Sequence, residues 1–320
     1  MSYWYAPVQH TSHRDPIHPN TPWCMLAPFM HIAHCMDMPS HDKLIELRER
    51  ANTIRRDIIE MLVEAGSGHS AGPLDMADVF TAMYFHILRH DPQRPMWDER
   101  DRLILSNGHI CPARYAAMAE AGYFSKAELA RLRRFGSPLQ GHPDRTRLPA
   151  LETTSGPLGA GLAQAAGMAY VAKMDNRNWR VYCIVSDAEE QCGLHWEAVQ
   201  FAAKFGLDHL TCIVDRNGIQ IDGSTEDVMP LEPLRPKYDA FNWQTFECDG
   251  NDMAAIIETV GRAQTVQHRP SVIIAHTLAG KGVEFMEGDY HWHGKPPTAQ
   301  QAVEALRELR TLGGRIEAGT

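Results

Sequence analysis

Short apolar runs alternate with segments of helical period along most of this chain, and this alternation restricts the possible fold more than any other feature. The apolar runs include DRLIL, RVYCIV, LTCIVD, WQTFEC and SVIIA. Strands that alternate with helices form a mostly parallel sheet with helices on both faces. We therefore expect an α/β fold in which ligands bind at the carboxyl ends of the strands.

The helical segments are bounded by ordinary start and stop signals. Ser40 is a predicted N-cap, and Gly66 ends the helix that follows it. Further helices are predicted over the segments LDMADVFTAMYFHIL, SKAELARLRRF, GPLGAGLAQAAGMAYVAKM, which opens with glycines, LHWEAVQFAAKFG, NDMAAIIETVGRAQTV and TAQQAVEALREL.

Length and composition favour one large domain. The chain has 320 residues, of which 44% are hydrophobic, so it can bury a sizeable core. We expect this domain to span residues 41–320. Residues 1–40 contain scattered histidines and prolines without a helical or strand period, which indicates an irregular arm or interface strap. An over-extended start, with translation beginning at Met36 or Met38, is the alternative.

Charge and cysteine usage exclude several classes of protein. The net charge is −9 and no long basic run occurs, so nucleic acid and anionic membranes are not expected partners. No apolar run approaches the roughly 18 residues of a membrane span. The seven cysteines form no CxxC pair, which favours buried thiols in a reducing compartment. We expect a cytoplasmic protein.

Two polar residues follow neighbouring predicted strands. Asp187 ends RVYCIVSD and Asn217 ends LTCIVDRN, with one helix between them. A carboxylate and an amide oxygen are hard ligands, suited to Mg²⁺ or Ca²⁺, and two of them are too few to hold the ion without a phosphorylated ligand. Taken singly, Asp187 could cap a helix and Asn217 could shape a turn.

Glycine-bearing loops supply further candidates. The turn SGPLGAG, residues 155–161, opens a helix and leaves backbone N–H groups for an anionic ligand, although close helix packing is an alternative explanation. It matches neither the dinucleotide nor the ATP phosphate loop. Four histidines lie in Gly- or Pro-containing loops, and together they suggest a polar site with proton carriers: His69, His109, His142 and His293.

In combination these motifs resemble the thiamine-diphosphate-binding half of transketolase. The resemblance extends from about Asn52 to Pro297. It rests on motifs in matching order and spacing: ANTIRRDI, GSGHSAGPLDMADV, DRLILSNGH, GYF, GHPD, TTSGPLGAGLAQAAGMA, SDAEEQCGLHWEA, VDRNGIQIDG, AGKGVEFME and WHGKPP.

The resemblance implies a role for each matching position. Asp187, Asn217 and the backbone carbonyl of Ile219 would hold Mg²⁺ or Ca²⁺ against the diphosphate of thiamine diphosphate. His109 would contact the diphosphate, and Ala188 would lie beside it. Gly156 and Leu158 would line the thiamine. The catalytic histidines, around the sugar hydroxyls and the reacting carbon, would be His69, His142 and His293.

Several positions depart from the pattern of the family. Ser186 and Ala188 flank Asp187 where the family usually has two glycines, and Cys192 stands where it generally has glutamate. Ser70 replaces the proline of SGHP. Ala188 adds a methyl group where backbone and diphosphate approach, and glycine there permits torsions that other residues resist. These departures bear on rate, proton relay and substrate.

The length of the chain implies a split enzyme. Transketolases are roughly twice as long and continue into a pyrimidine-binding domain, which nothing after Gly314 could encode. We therefore expect the N-terminal subunit of a split transketolase, in an α₂β₂ complex with a C-terminal subunit, that transfers a ketol unit from a ketose, phosphorylated in our expectation, to an aldose. Alternatives are a related carboligase with a non-standard donor or acceptor, and a non-catalytic partner subunit. The α subunit of a 2-oxo acid dehydrogenase is disfavoured by GSGH, SNGH and GHPD.

Overall fold

The structure is a computed structural model that describes residues 37–318. The predicted arm of residues 1–40 lies almost wholly outside the described residues, so its irregular character, the two possible starts and the boundary at residue 41 stay predictions. The predicted first helix is confirmed: α1 spans His41–Ala65, the Ser40 hydroxyl accepts from the backbone N–H of Lys43, and Gly66 ends it in the left-handed conformation.

A parallel sheet of five strands forms the centre of the described residues. The strands of the structure are β1 (Arg102–Leu105), β2 (Val181–Ser186), β3 (Leu210–Arg216), the short β4 (Ile219–Gln220) and β5 (Gly223–Ser224), β6 (Gln244–Asp249) and β7 (Ser271–His276). Their order in the main sheet is β1-β2-β3-β7-β6, and every neighbouring pair is parallel. The predicted α/β class is confirmed, and β2 and β3 are neighbours as the Asp187–Asn217 argument requires.

Helices cover both faces of the sheet. After α1 they are α2 (Ala71–Asp75), α3 (Ala77–Ala82), α4 (Cys111–Glu120), α5 (Gly161–Met174), α6 (Gly193–Lys204), α7 (Thr225–Val228), α8 (Leu234–Ala240), α9 (Met253–Gln264) and α10 (Ala299–Ala318). Because successive strand residues point to opposite faces, Tyr182 and Ile184 join one core with α1, α4 and α9. Cys183 and Val185 join the other core with α5 and α6.

Two predicted helices are wrong in extent. The segment predicted as one helix from Leu74 is broken at Met76 into α2 and α3 and then widens into a π-helical turn over Met83–Ile87. The break is stabilised from outside, because Arg55 Nε donates to the carbonyl of Leu74 at 3.0 Å. The segment SKAELARLRRF forms only a 3₁₀ helix over Lys126–Arg131. The chain turns away there because Arg133 adopts a φ of 60°.

Several elements were not predicted. They are α4, α7, α8 and the antiparallel pair β4–β5, which directly follows β3. No helix among residues 37–318 has the length and apolar character needed to cross a membrane.

Candidate functional site

Polar residues collect where β1, β2 and β3 end. Ser186 is the register partner of Asp215, and the backbone N–H of Asp187 donates to the carbonyl of Asp215 at 3.1 Å. This pairing brings the turn after β2 against the turn after β3. The structure therefore places Asp187 and Asn217 together, as predicted from the strand ends.

Asp187 is fully buried and accepts three hydrogen bonds. Its Oδ1 accepts from the backbone N–H of Ala188 at 2.7 Å. Its Oδ2 accepts from the N–H of Gly218 at 2.8 Å and from Arg216 Nη1 at 2.9 Å. Burial raises the pKa of Asp187, while Arg216 and the two N–H groups favour its ionised form. The carboxylate is thus held in one orientation, directly behind Ser186 and Ala188, which line a cavity.

The side-chain amide of Asn217 is fixed by two buried carboxylates. Its Nδ2 donates to Asp75 Oδ2 at 3.0 Å and to Asp215 Oδ2 at 3.1 Å. Its Oδ1 accepts from the backbone N–H of Ile219 at 3.1 Å. Burial raises the pKa of Asp75, and the charge of Asp215 adds to this. Burial also raises the pKa of Asp215, to about 8, and there the charge of Asp187 adds to the effect. Because carboxylates accept from the NH₂ group, the oxygen of Asn217 faces away from them.

The donor set suits a hard cation that has other ligands. Among the described residues, no group of three or more His, Cys, Asp or Glu side chains forms a metal site. The predicted set instead combines one carboxylate, one amide and the carbonyl of Ile219, and all three residues lie at the end of β3 or beside it. Oxygen ligands of this kind fit Mg²⁺ or Ca²⁺ whose coordination is completed by a phosphate.

The backbone beside Asp187 does not require glycine. Neither Ser186 nor Ala188 belongs to the residues with positive φ among those described, so both adopt ordinary torsions. Ser186 takes part in local bonding instead, because its N–H and hydroxyl donate to Glu189 Oε2 at 3.1 and 3.3 Å. The expectation that Ser and Ala resist the torsions needed here is therefore wrong.

Glu189 joins three turns of the site and had no predicted role. Besides binding Ser186, it accepts from the Ser106 hydroxyl and from the backbone N–H of Gly159 at 3.1 Å. Ser106 Oγ in turn accepts from the N–H of Gly161 at 3.0 Å. Glu189 thus ties the ends of β1 and β2 to the glycine-rich turn. Its position two residues after Asp187 is the only sequence signal that could have indicated it.

The glycine-rich turn has the shape that its sequence suggests. Gly156 has a φ of 144° and Gly159 a φ of 81°. A side chain at Gly161 would place a Cβ 2.6 Å from Ser106 Cα, so α5 begins in direct contact with the end of β1. Leu158 projects from the turn and is 44% exposed. The two explanations for this turn therefore apply at different glycines. Gly161 allows close packing against Ser106, whereas the backbone at Gly156 is open.

Three of the four predicted histidines form one cluster. The ring of His69 lies 4.9 Å from that of His109 and 5.5 Å from that of His293, and the rings of His109 and His293 are 5.1 Å apart. Burial lowers the pKa of His69 to about 4, and it also lowers the pKa of His109 and of His293. Neighbouring imidazoles add to the effect on His69 and His109. These rings are neutral near pH 7, so each can donate from one nitrogen and accept at the other.

His142 lies apart from that cluster. It lines a neighbouring open cavity of about 440 Å³ together with Arg133, Gln140, Gly141 and Asp144. His142 is exposed, and partial desolvation followed by the charge of Arg133 lowers the pKa of its ring. The structure therefore divides the predicted histidines into a partly buried group of three and one at an exposed position.

One cavity is lined by most of the predicted cofactor residues, although Asp187 and Gly156 are not among its lining residues. It has a volume of about 320 Å³ and is lined, among others, by His109, Leu158, Ala188, Asn217, Ile219 and His293. Cys192 also lines it.

Both side-chain polar atoms of Asn107 and the hydroxyl of Ser155 are buried without a hydrogen-bond partner among the described residues. Buried polar atoms need partners, so these two residues, which were not predicted, are candidates for contact with a bound ligand. A larger open cavity, of about 760 Å³, lies beside α10 and contains none of the predicted residues.

Comparison with known proteins identifies the class. Residues 47–313 match the family model described as transketolase, thiamine diphosphate binding domain. The chain is 40% identical over 272 residues to the 6-deoxy-6-sulfo-D-fructose transketolase subunit SqwG of Clostridium sp. (strain MSTE9), covering 85% of this chain and 99% of that protein. It is 39% identical over 273 residues to a subunit of the apulose-4-phosphate transketolase of Phocaeicola vulgatus, covering 85% of this chain and 96% of that subunit.

A solved structure agrees with these matches. The transketolase of Campylobacter jejuni superposes with a TM-score of 0.78 at 30% identity, over 84% of this chain and 42% of that chain. The chain thus spans less than half the length of that enzyme, whereas it spans nearly all of the two subunits.

The chain belongs to the transketolase family. Within that family it is a thiamine-diphosphate-binding, N-terminal subunit of a split transketolase, and hence part of a transferase. The predicted family, function, enzyme class and thiamine diphosphate cofactor are therefore confirmed, while the divalent cation stays a prediction.

Proposed function

We propose that this chain binds thiamine diphosphate and Mg²⁺ or Ca²⁺ in the cavity of about 320 Å³ at the ends of β2 and β3. The observation that carries the proposal is the contact between the turns of Asp187 and Asn217 at one wall of that cavity, with His109 and His293 at another. Asp187, Asn217 and the carbonyl of Ile219 hold the ion. Bound thiamine diphosphate supplies the carbanion equivalent on which ketol transfer depends.

Each predicted residue has a physical task at this site. His109 donates to a diphosphate oxygen, which is favoured because the ring is partly buried and pairs with no carboxylate among residues 37–318. Ala188, Gly156 and Leu158 line the cofactor with backbone and apolar groups. His69 and His293, which are neutral near pH 7, accept or donate protons at substrate hydroxyls. His142 contacts substrate further from the cofactor, at the adjoining cavity.

The names of two relatives indicate the substrate class. One relative is named for 6-deoxy-6-sulfo-D-fructose and another for apulose-4-phosphate. Both substrates are ketoses with an anionic group. We therefore propose an anionic ketose donor, either phosphorylated or sulfonated, and an aldose acceptor. This covers both the standard transketolase reaction and the alternative of a non-standard donor.

We further propose an α₂β₂ complex with a C-terminal subunit that carries the pyrimidine-binding domain. The names of the relatives describe them as subunits, which supports a partner. The described surface supports it too, because large apolar side chains are exposed on α5, on α6 and on the loops beside them: Leu158, Val171, Met174, Leu194, Phe201 and Phe205. Three rings in this region are in mutual contact: Tyr170, Phe201 and Phe205.

We also propose a cytoplasmic location. The cysteines among the described residues are free and mostly buried, as is usual for proteins of a reducing compartment.

Calorimetric titration tests the site. The chain is titrated with thiamine diphosphate in the presence of Mg²⁺, as wild type and as Asp187→Ala and Asn217→Ala. Both variants are expected to lose Mg²⁺-dependent binding while keeping a cooperative unfolding transition. Asp227→Ala is the matched control, because Asp227 is an exposed carboxylate on the same segment whose partner is Ser224. Normal cofactor binding by either site variant would remove the metal assignment.

A further inference from the structure

The guanidinium of Arg133 lies between two of the histidine loops. An ideal Cβ built on Gly141 would lie 2.6 Å from Arg133 Nη1 and 2.8 Å from its Cζ, so the planar group rests on the backbone just before His142. An ideal Cβ on Gly68, just before His69, would lie 4.0 Å from Arg133 Cδ. Only the absence of a side chain at Gly141 allows this position of the arginine.

Arg133 has no counter-charge within the described part of the chain. Among residues 37–318 no carboxylate forms an ion pair with it, although Asp144 lines the same cavity. Asp144 is engaged elsewhere, because its Oδ1 accepts from the backbone N–H and the hydroxyl of Thr146. The neighbouring Arg134 behaves differently and pairs with Glu64 at 2.8 Å. An arginine that is positioned but unpaired is typical of sites that bind planar or tetrahedral anions.

The backbone of Arg133 is also unusual. Its φ is 60°, a region that residues other than glycine seldom adopt, and its N–H donates to the carbonyl of Leu139 at 2.8 Å. This hydrogen bond closes the loop that leads to Gly141 and His142. The strained turn directs the side chain back over the loop, where Arg133 stays exposed and its guanidinium lies beside Gly141.

We propose that Arg133 binds the phosphate or sulfonate group of the substrate, at the mouth of the cavity that it shares with His142. This inference rests on the proposed function and extends it, since it assigns an anion-binding group to this subunit in addition to any on the partner. The site would take an oxyanion at the end of the sugar that is remote from the reacting carbon. The guanidinium offers up to five N–H donors to such a group.

The first test uses the purified chain and inorganic phosphate at constant ionic strength. Phosphate is titrated while the imidazole NMR signals are followed, and the His142 signal is assigned with His142→Gln. Wild type is expected to show a saturable shift of the His142 signal, and Arg133→Gln binding weaker by about tenfold. Arg134→Gln is the matched control and is expected to match wild type. Equal phosphate affinity of Arg133→Gln and wild type would overturn the proposal.

The second test uses the complex assembled with a C-terminal subunit. Phosphorylated, sulfonated and uncharged ketoses are compared as donors, which separates the two possible anions. Arg133→Gln is expected to raise KM by about tenfold for the anionic donor that is the substrate. The KM for the uncharged donor is expected to stay unchanged. Arg133→Lys is expected to retain part of the affinity for the anionic donor. Equal losses with charged and uncharged donors, or weakened assembly without a change in anion binding, would contradict it. A complex inactive with every donor would refute the proposed function, while the phosphate titration would still decide the role of Arg133.

Discussion

The Arg216 guanidinium lies 2.9 Å from Oδ2 of Asp187, so the carboxylate proposed to bind a cation is already paired with a positive charge. The same guanidinium also contacts Glu226 and Glu232, and it donates to the hydroxyl of Thr225 at 2.8 Å. Arg216 therefore fastens the segment after β5 to the turn that follows β2. A cation at Asp187 would have to share that carboxylate with the arginine or displace it.

Removing this arginine is predicted to strengthen cation binding and weaken the fold. Arg216→Gln is expected to bind Mg²⁺ about three- to tenfold more tightly with thiamine diphosphate present, because a like charge is removed. Without ligands it is expected to lose about 1–3 kcal/mol of unfolding free energy, because a buried carboxylate loses its partner. Calorimetry and urea denaturation measure the two effects.

The control for this variant is Arg235→Gln, which removes an exposed pair with Glu247. It is expected to change neither property measurably. Weaker Mg²⁺ binding by Arg216→Gln would mean that the arginine supports the metal site and does not compete with it.

The separation of the histidines predicts different kinetic effects. His109 lines the cofactor cavity, so His109→Ala is expected to weaken thiamine diphosphate binding. His142 lines the adjoining cavity, so His142→Ala is expected to lower turnover with little change in cofactor affinity. His293→Ala is expected to lower turnover as well, because the family resemblance assigns this ring to the substrate although it lines the same cavity as His109. Cofactor titrations and steady-state kinetics of the assembled complex separate these effects, with the exposed His291→Ala as control. A His142 variant that loses the cofactor and keeps its turnover at saturation would contradict the assignment.

The pKa of His69 predicts a contribution of this residue to the pH dependence of stability. Its pKa falls from 6.5 in the unfolded chain to about 4 in the folded one, so between these values the unfolded chain binds more protons. Its contribution to stability is therefore full above pH 6.5 and is lost as the pH falls towards 4. Because the buried carboxyls Asp75 and Asp215 have raised pKa values and act in the opposite direction, the wild-type curve alone does not isolate it.

The difference between two proteins isolates the histidine. Urea denaturation of wild type and His69→Gln at pH 7 and pH 5 is expected to show a smaller loss on acidification in the variant. An equal loss in both proteins would mean that His69 is as readily protonated in the folded chain as in the unfolded one.

Two glycines of α5 form a matched pair for testing the packing of the glycine-rich turn. Gly161→Ala would place a methyl group against Ser106, whose hydroxyl is bonded to Glu189, and it is expected to cost about 1–3 kcal/mol. Gly167→Ala adds its methyl group in open space on the same helix, and it is expected to stabilise the isolated chain by about 0.5–1 kcal/mol. Thermal unfolding of both variants checks this, and a destabilisation of similar size at both sites would contradict the contact at Ser106.

Much of the fold followed from local sequence signals, and the parts that did not follow depend on contacts distant in sequence. The strand ends at Asp187 and Asn217 were predictable because parallel strands bring their carboxyl ends to one edge. Asp75, which fixes the Asn217 amide, was not predictable because it lies in an apolar helical segment 142 residues away. The break at Met76 depends on Arg55, again from another element.

The two positions beside Asp187 are constrained in a way that their residue types do not reveal. Glycine beside Asp187 was expected on family grounds to serve unusual torsions, but Ser186 and Ala188 adopt ordinary ones, and Ser186 instead bonds Glu189. A sequence pattern indicates that a position is constrained without telling which physical constraint acts. The composition of the sequence indicated the four histidine loops. It does not show the paths of these loops, which bring His69, His109 and His293 together and leave His142 apart.

The most direct test of the account is a ketol-transfer assay of this chain with and without a separately purified transketolase C-terminal subunit. Thiamine chemistry needs a carboxylic acid near the aminopyrimidine ring, which the resemblance places on the pyrimidine-binding domain. With an anionic ketose, an aldose, Mg²⁺ and thiamine diphosphate, we expect turnover only in the mixture, and none when the chain carries Asp187→Ala. Robust turnover by this chain alone, free of host transketolase, would contradict the account.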